Sequence, residues 1–278
     1  MGTLVCFHAH PDDEAISTGG LMAKAASAGH RVVLVCATRG EVGEPQEGVL
    51  DPGEELWERR MVELAISAEV LGADEPRWLG YEDSGMMGEP TNDNPRCFWQ
   101  ADHDEATARL VAILTEVDAD VLTIYDDHGG YGHPDHIKVH TVGKAAAAAA
   151  GVARVYEATM NRDRIIETME AQRAEAVARG EEVEEPGVDI NEMGTAEADI
   201  SYRVDVTSVI SAKRQAMITH RSQIGPDSFF LQMPDEVFAE AFGTEWFNVP
   251  SESGPGEPES VELLPGLSAV PSSAPATG

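Results

Sequence analysis

The chain has 278 residues, 42% of them hydrophobic, and 50 acidic against 19 basic side chains give a formal net charge of −31. That length can bury a sizeable core, and the charge excludes a broad binding face for nucleic acid or anionic membrane. No run approaches the apolar span of a membrane helix, no signal segment opens the chain, and Cys6, Cys36 and Cys97 cannot all pair, so a cytoplasmic protein with reduced thiols is expected.

The first stretch, Leu4 to His10, reads as a buried strand that ends at Pro11. Ile16 to Gly29 reads as a small-residue helix started near Ser17 or Thr18, and Arg31 to Thr38 as a β-branched strand. A Gly-, Glu- and Pro-rich loop follows to about Gly53, too long for a plain connection. Glu54 to Leu71 is a predicted helix stopped by Gly72, and Arg77 to Tyr81 a short strand. An irregular loop from Glu82 to Cys97 leads to an amphipathic helix over His103 to Val117 and a strand over Val121 to Tyr125. His136 to Ala150 reads as a helix whose alanine run packs closely and ends at Gly151. Val152 to Thr159 is a strand and Arg162 to Arg179 a charged helix. Gly180 to Ala198 is acidic and expected to be mobile. A strand over Ser201 to Val206 and a helix over Ser208 to His220 follow. The aromatics between Phe229 and Phe247 return to the core.

Alternating strands and helices predict an α/β fold: a Rossmann-like, three-layer arrangement with a mostly parallel sheet. Residues 1–160 form its core and 161–249 a small C-terminal appendage. The Pro-, Ser- and Gly-rich stretch 250–278 is expected to be a disordered tail.

Two clusters carry the chemistry, AHPDDE (Ala9 to Glu14) and HGGYGHPDH (His128 to His136), each at the predicted end of a strand. Ligands of open α/β sheets bind at that rim. His10 and Asp13 stand at i, i+3 on a turn, and His136 opens a helix as a third ligand. Two imidazoles and one carboxylate with open positions are the donor set of catalytic zinc and of facial-triad iron(II). Hydrolysis needs a base and an oxyanion donor. Asp12 can take the proton of water. His133, when protonated, can hold an oxyanion or protonate a leaving amine, and Asp135 can orient it. Tyr131 can place a phenol near a substrate carbonyl. His8 and His140 read as supporting or packing residues.

The two motifs resemble those of the PIG-L, or LmbE-like, family of zinc-dependent N-deacetylases. Within it the chain is most similar to the group of mycothiol-biosynthesis deacetylases and mycothiol S-conjugate amidases. The likeness runs from Leu4 to about Ala150 and returns near His220. It implies zinc on His10, Asp13 and His136, Asp12 as general base, His133 as acid and oxyanion partner oriented by Asp135, and Tyr131 over the carbonyl. It also implies substrate contacts from Arg60 (in RMVEL), Asp83 (in EDSGM), Glu41 (in RGEVGE) and His220 (in HRSQI). The implied substrate is a small amino sugar or its conjugate, with no nucleic acid or membrane partner, and the related enzymes imply a homo-oligomer. The amidase type carries a lysine soon after DDE. Ser17 and Thr18 stand there instead, which favours deacetylation over the alternative, amidase action on mycothiol-like S-conjugates. An iron(II) oxygenase and a metal-holding binding protein are the rivals from other classes, and the adjacent acid and base residues favour hydrolysis over both.

Overall fold

The computed structural model describes residues 1–180, 190–250, 252 and 254–267. Among these residues one eight-stranded sheet runs in the order β3-β2-β1-β4-β5-β7-β6-β8. The middle strand of its parallel part, β1 (Thr3–His8), is buried at every position, as a parallel strand covered on both faces must be. It pairs in parallel with β2 (Arg31–Cys36) and β4 (Val121–Tyr125). Short β3 (Arg77–Trp78) and β5 (Arg154–Thr159) continue the parallel order outward. β7 (Thr244–Asn248) joins β5 in the antiparallel sense and is followed outward by β6 (Tyr202–Asp205). The expected appendage therefore extends the same sheet.

Two apolar clusters sandwich the sheet. On one face Leu21, Met22, Leu64 and Met217 come from α2 (Gly19–Ser27), α3 (Leu56–Leu71) and α8 (Ile210–Thr219). On the other, Leu110, Leu114, Val139 and Val142 come from α4 (His103–Val117) and α6 (Pro134–Ala150). The alanine-rich α6 lies close on the sheet: a Cβ at Gly143 would fall 2.4 Å from Ile124 Cγ2. Glu55 and Glu58 form a capping box on α3, and Gly72 ends it in the left-handed conformation.

Several expectations change. The helix expected over Ile16 to Gly29 is broken at Thr18 (φ −135°) into α1 (Asp13–Ser17) and α2. The Thr18 side chain is held by His8 Nε2 at 2.8 Å, a long-range bond that outweighs local helix propensity. Positions 181–189 of the expected mobile stretch lie outside the described residues. The rest of it is tied down after α7 (Arg162–Arg179), where Arg162 donates to the carbonyls of Met193 and Gly194. Phe238 and Phe247 are core residues, and Phe238 lies in α10 (Asp235–Phe242). Phe229, which opens the short α9 (Phe229–Gln232), is 60% exposed, against expectation. Of the expected disordered tail, positions 251, 253 and 268–278 lie outside the described residues. Residues Glu259–Val261 form β8, parallel to β6, and Leu264 and Leu267 are fully buried. Cys6, Cys36 and Cys97 are buried free thiols.

Candidate metal centre

The two clusters meet at the carboxyl rim of β1 and β4. His10 lies two residues beyond the end of β1. Asp13 begins α1, and His136 stands in the first turn of α6, behind Pro134 at a position where a missing N–H costs nothing. Between β4 and α6 the short turn α5 (Gly129–Gly132) contains non-helical residues and carries Tyr131. Gly129 has to be glycine here: its φ is +69°, and a Cβ would fall 2.6 Å from His136 Cβ.

Asp13 Oδ2 lies 3.3 Å from His10 Nδ1 and 3.4 Å from His136 Nε2. Donors at ~2.0–2.1 Å around a tetrahedral ion are themselves ~3.3–3.4 Å apart, so these spacings suit one shared cation. His136 Nε2 is buried without a hydrogen-bond partner, while Nδ1 lies 3.2 Å from the Gly129 carbonyl. Donation from Nδ1 leaves the lone pair of Nε2 free for a metal. Among the described residues, the groups whose ligand atoms all lie within 4.8 Å of one another are His10, His133 and His136, and His10, Asp83 and Asp135; neither includes Asp13. Each is the weaker candidate. His133 Nδ1 already accepts from the Asp135 N–H, and Asp83 and Asp135 lie on the other nitrogen of His10.

The field favours positive charge. Burial would lower the His10 pKa, but the carboxylates of Asp83, Asp13 and Asp135 hold it well above its ordinary value. Burial would raise Asp13, yet His136 and His10 hold it well below the usual carboxylate range. A site that stabilises an imidazolium this way also suits a metal cation.

Asp12 adjoins this trio with a strained backbone, φ 111° and ψ −31°. Burial pushes its pKa up to about 6, against the opposing pull of Arg60. The Arg60 guanidinium is buried, lies 3.3 Å from Asp12 Oδ1, and donates to the carbonyls of Pro11 and Gly40. Its Nε has no hydrogen-bond partner.

Asp135 departs from expectation. Its carboxylate does not orient His133: it accepts from the Ser84 hydroxyl and backbone N–H and lies 3.2 Å from His10 Nε2. It is fully buried inside the first turn of α6, where it reaches inward to the loop after β3. His133 instead caps α6, its Nδ1 accepting the Asp135 N–H at 3.2 Å. A backbone N–H can only donate, so Nδ1 holds the lone pair and the proton of the neutral ring sits on Nε2. Burial and the neighbouring His10 and His136 push the His133 pKa down to about 3. The expectation of a cationic His133 is thus replaced by a neutral N–H donor.

Tyr131 is 45% exposed, with its ring 5.1 Å from that of His136. The Gly130 carbonyl beside it accepts from the Gly194 N–H at 2.8 Å. Asp83 Oδ1 lies 3.3 Å from His10 Nε2, and the Asp83 N–H donates to Glu41 Oε2, so these two expected substrate contacts also brace the ligand side. The expected substrate contact of His220 is corrected: the residue has no exposed surface, and Nε2 meets Glu14 Oε1 at 2.6 Å.

Two residues with no role assigned from sequence prove central. Tyr125 stacks on His136 at 4.1 Å, and its hydroxyl lies 3.0 Å from His8 Nδ1 and accepts from the Ala9 N–H. Its place at the end of the strand before the second cluster is the only signal that sequence offers. Glu14, within the first motif, is fully buried behind Asp12. His140 instead meets the Tyr125 carbonyl and Glu157, away from the ligands. A hollow of about 320 Å³ among Trp57, Trp78 and Tyr81 lies toward the β3 edge and is lined by none of these candidate ligands. The convergence of side chains, rather than that hollow, marks the chemistry.

Comparison with known proteins gives the chain's family. A family model described as PIG-L: GlcNAc-PI de-N-acetylase matches residues 5–147. The chain is 39% identical over 259 residues to the 1D-myo-inositol 2-acetamido-2-deoxy-alpha-D-glucopyranoside deacetylase of Acidothermus cellulolyticus, covering 88% of this chain and 87% of that protein. It is 37% identical over 290 residues to the enzyme of the same name from Geodermatophilus obscurus, covering 95% and 97%. Among solved structures it is similar to N,N'-diacetylchitobiose deacetylase from Pyrococcus horikoshii, with a TM-score of 0.59 and 21% identity over 89% of this chain and 83% of that one. A conserved protein from Thermus thermophilus gives a TM-score of 0.55 at 20% identity, over 90% and 95%. Likeness at that identity shows a shared fold.

Proposed function

The chain belongs to the PIG-L family of de-N-acetylases, and on that premise we propose that it is a zinc-dependent hydrolase removing the N-acetyl group of an amino sugar. The single observation that carries this reading is the Asp13 carboxylate set between His10 Nδ1 and the orphaned His136 Nε2, with Asp12 alongside. The proposed substrate is a 2-acetamido-2-deoxy-glucopyranoside of inositol, the compound in the names of the curated relatives.

In this reading His10, Asp13 and His136 hold zinc, which when bound supplies Lewis acidity at the acyl carbonyl and at water. Asp12 accepts the proton of the attacking water and then returns it to the leaving nitrogen. A carboxylate with a pKa near 6 suits both steps, since it is neither too weak a base nor too weak an acid at neutral pH. His133 donates its Nε2–H to the developing oxyanion, and Tyr131 adds a phenol from its glycine-flanked turn. Arg60 holds the Asp12 carboxylate, and Arg60, Asp83 and Glu41 form the wall against which the sugar would lie. Zinc is favoured over iron(II) because a proton acceptor stands beside the ligands and the reaction needs no electron transfer. The amidase alternative has no support in the relatives named above.

Primary amine release from that inositol glycoside tests the reading, with zinc-loaded and chelated protein run side by side. The expected result is release that stops with chelator and returns with zinc. Zinc-loaded protein that releases no amine from it would overturn the assignment.

A further inference from the structure

Glu14 ends the first motif and does not face the ligand cluster. It is fully buried, and a buried carboxylate requires donors. Three converge on it. The Asp12 backbone N–H donates to Oε2 at 3.0 Å, the Ser67 hydroxyl to Oε1 at 2.5 Å, and His220 Nε2 meets Oε1 at 2.6 Å. Ser67 comes from the middle of α3 and His220 from the end of α8, so two helices of the scaffold fasten one side chain. At its other end that side chain grips the backbone of Asp12, whose φ of 111° is one that L residues rarely adopt. Arg60 steadies the Asp12 carboxylate from outside, but it cannot hold the peptide N–H.

We propose that Glu14, anchored by Ser67 and His220, is a positioning residue that locks the Asp12 backbone and so aims its carboxylate at the reacting water. The inference rests on the reading of Asp12 as the base of a deacetylase. An amide in place of the Glu14 carboxylate is a weaker, uncharged acceptor for the Asp12 N–H and sets an NH2 among the Ser67 and His220 donors, so Asp12 relaxes toward ordinary φ and its carboxylate swings away from the ligand cluster. The arrangement also accounts for a histidine placed far along the chain, with no surface of its own, lying behind the site.

The test is steady-state amine release by the full chain, zinc-loaded, with the inositol glycoside of N-acetylglucosamine as substrate. The variants are Glu14→Gln, Ser67→Ala, Asp12→Ala and the two double variants with Asp12→Ala. Zinc content and thermal unfolding are measured on each. Glu14→Gln is expected to lower kcat by ~10²-fold, the cost of misplacing a reacting group by about 1 Å, with KM and zinc content unchanged. Ser67→Ala should lower kcat several-fold in the same pattern. In the Asp12→Ala background both losses should vanish, because no carboxylate remains to be aimed. Losses that multiply with Asp12→Ala, or that follow zinc loss, would overturn the inference. So would a Glu14→Gln protein with the kcat of the parent while Asp12→Ala is inactive, and that result would leave the deacetylase reading intact. An inactive parent would overturn both. If Glu14→Gln fails to fold, Ser67→Ala decides by the same criteria.

Discussion

The chain uses the triplet His-Pro-Asp twice at one rim, at His10-Pro11-Asp12 and at His133-Pro134-Asp135, and the two copies divide the work in opposite ways. In the first, the histidine faces the ligand cluster and the aspartate sits on strained backbone beside it. In the second, the histidine caps a helix and the aspartate is fully buried scaffold, bonded to Ser84 and His10. The difference lies in where the helix begins. Asp12 precedes a five-residue helix, whereas Pro134 starts a seventeen-residue one whose first turn points Asp135 inward. Identical letters thus yield the proposed proton acceptor in one place and a brace in the other.

The largest effect should come from the proposed ligands, His10 in the first copy and Asp13 and His136 directly after the two copies. His136→Ala, or removal of the metal by chelator, should take amine release to background, with metal content measured in the same samples; a variant that keeps both would break the shared site. Next comes Asp12→Ala, expected to cost ~10²–10⁴-fold in turnover with zinc retained, the range for a lost general base. Asp135→Asn should behave differently, lowering metal affinity by ~10–100-fold through the loosened His10 ring. If competition with a chelator shows unchanged affinity while turnover falls as far as in Asp12→Ala, the two aspartates share a role and the contrast fails. The smallest effect concerns the next turn of α6, where His140 meets Glu157. Burial pushes Glu157 up to about 7, from 4.5. The folded state therefore binds more protons than the unfolded state between those values. The stability this contributes is complete below pH 4.5 and is lost as pH rises through 7. Glu157→Gln should flatten that part of the unfolding-temperature profile without altering metal content.

Elements with local signals were legible from sequence. The strand Val121–Tyr125, the amphipathic helix His103–Val117 and the charged helix Arg162–Arg179 lie where their sequence puts them. The break at Thr18 was not legible, because it depends on His8 from a neighbouring strand. Strand Glu259–Val261 was hidden for a similar reason: three residues among prolines and glycines have no period, and only pairing with Tyr202–Val204 makes them a strand. At the site, residues inside the two motifs could be paired by reading alone, as with His10, Asp13 and His136. Contacts between distant segments could not. Ser84 beneath Asp135, and Ser67 and His220 around Glu14, are brought together only by the sheet and its helices.

That late strand has a consequence for handling the protein. β8 covers the outer edge of β6, and the Tyr156 hydroxyl donates to the Pro265 carbonyl just beyond it. A version trimmed at 250, as composition alone would recommend for crystallisation, would leave β6 with open backbone donors and acceptors and would uncover the sockets of Leu264 and Leu267. Such a trimmed chain is expected to self-associate edge to edge and to come out of expression less soluble than one that runs to 267.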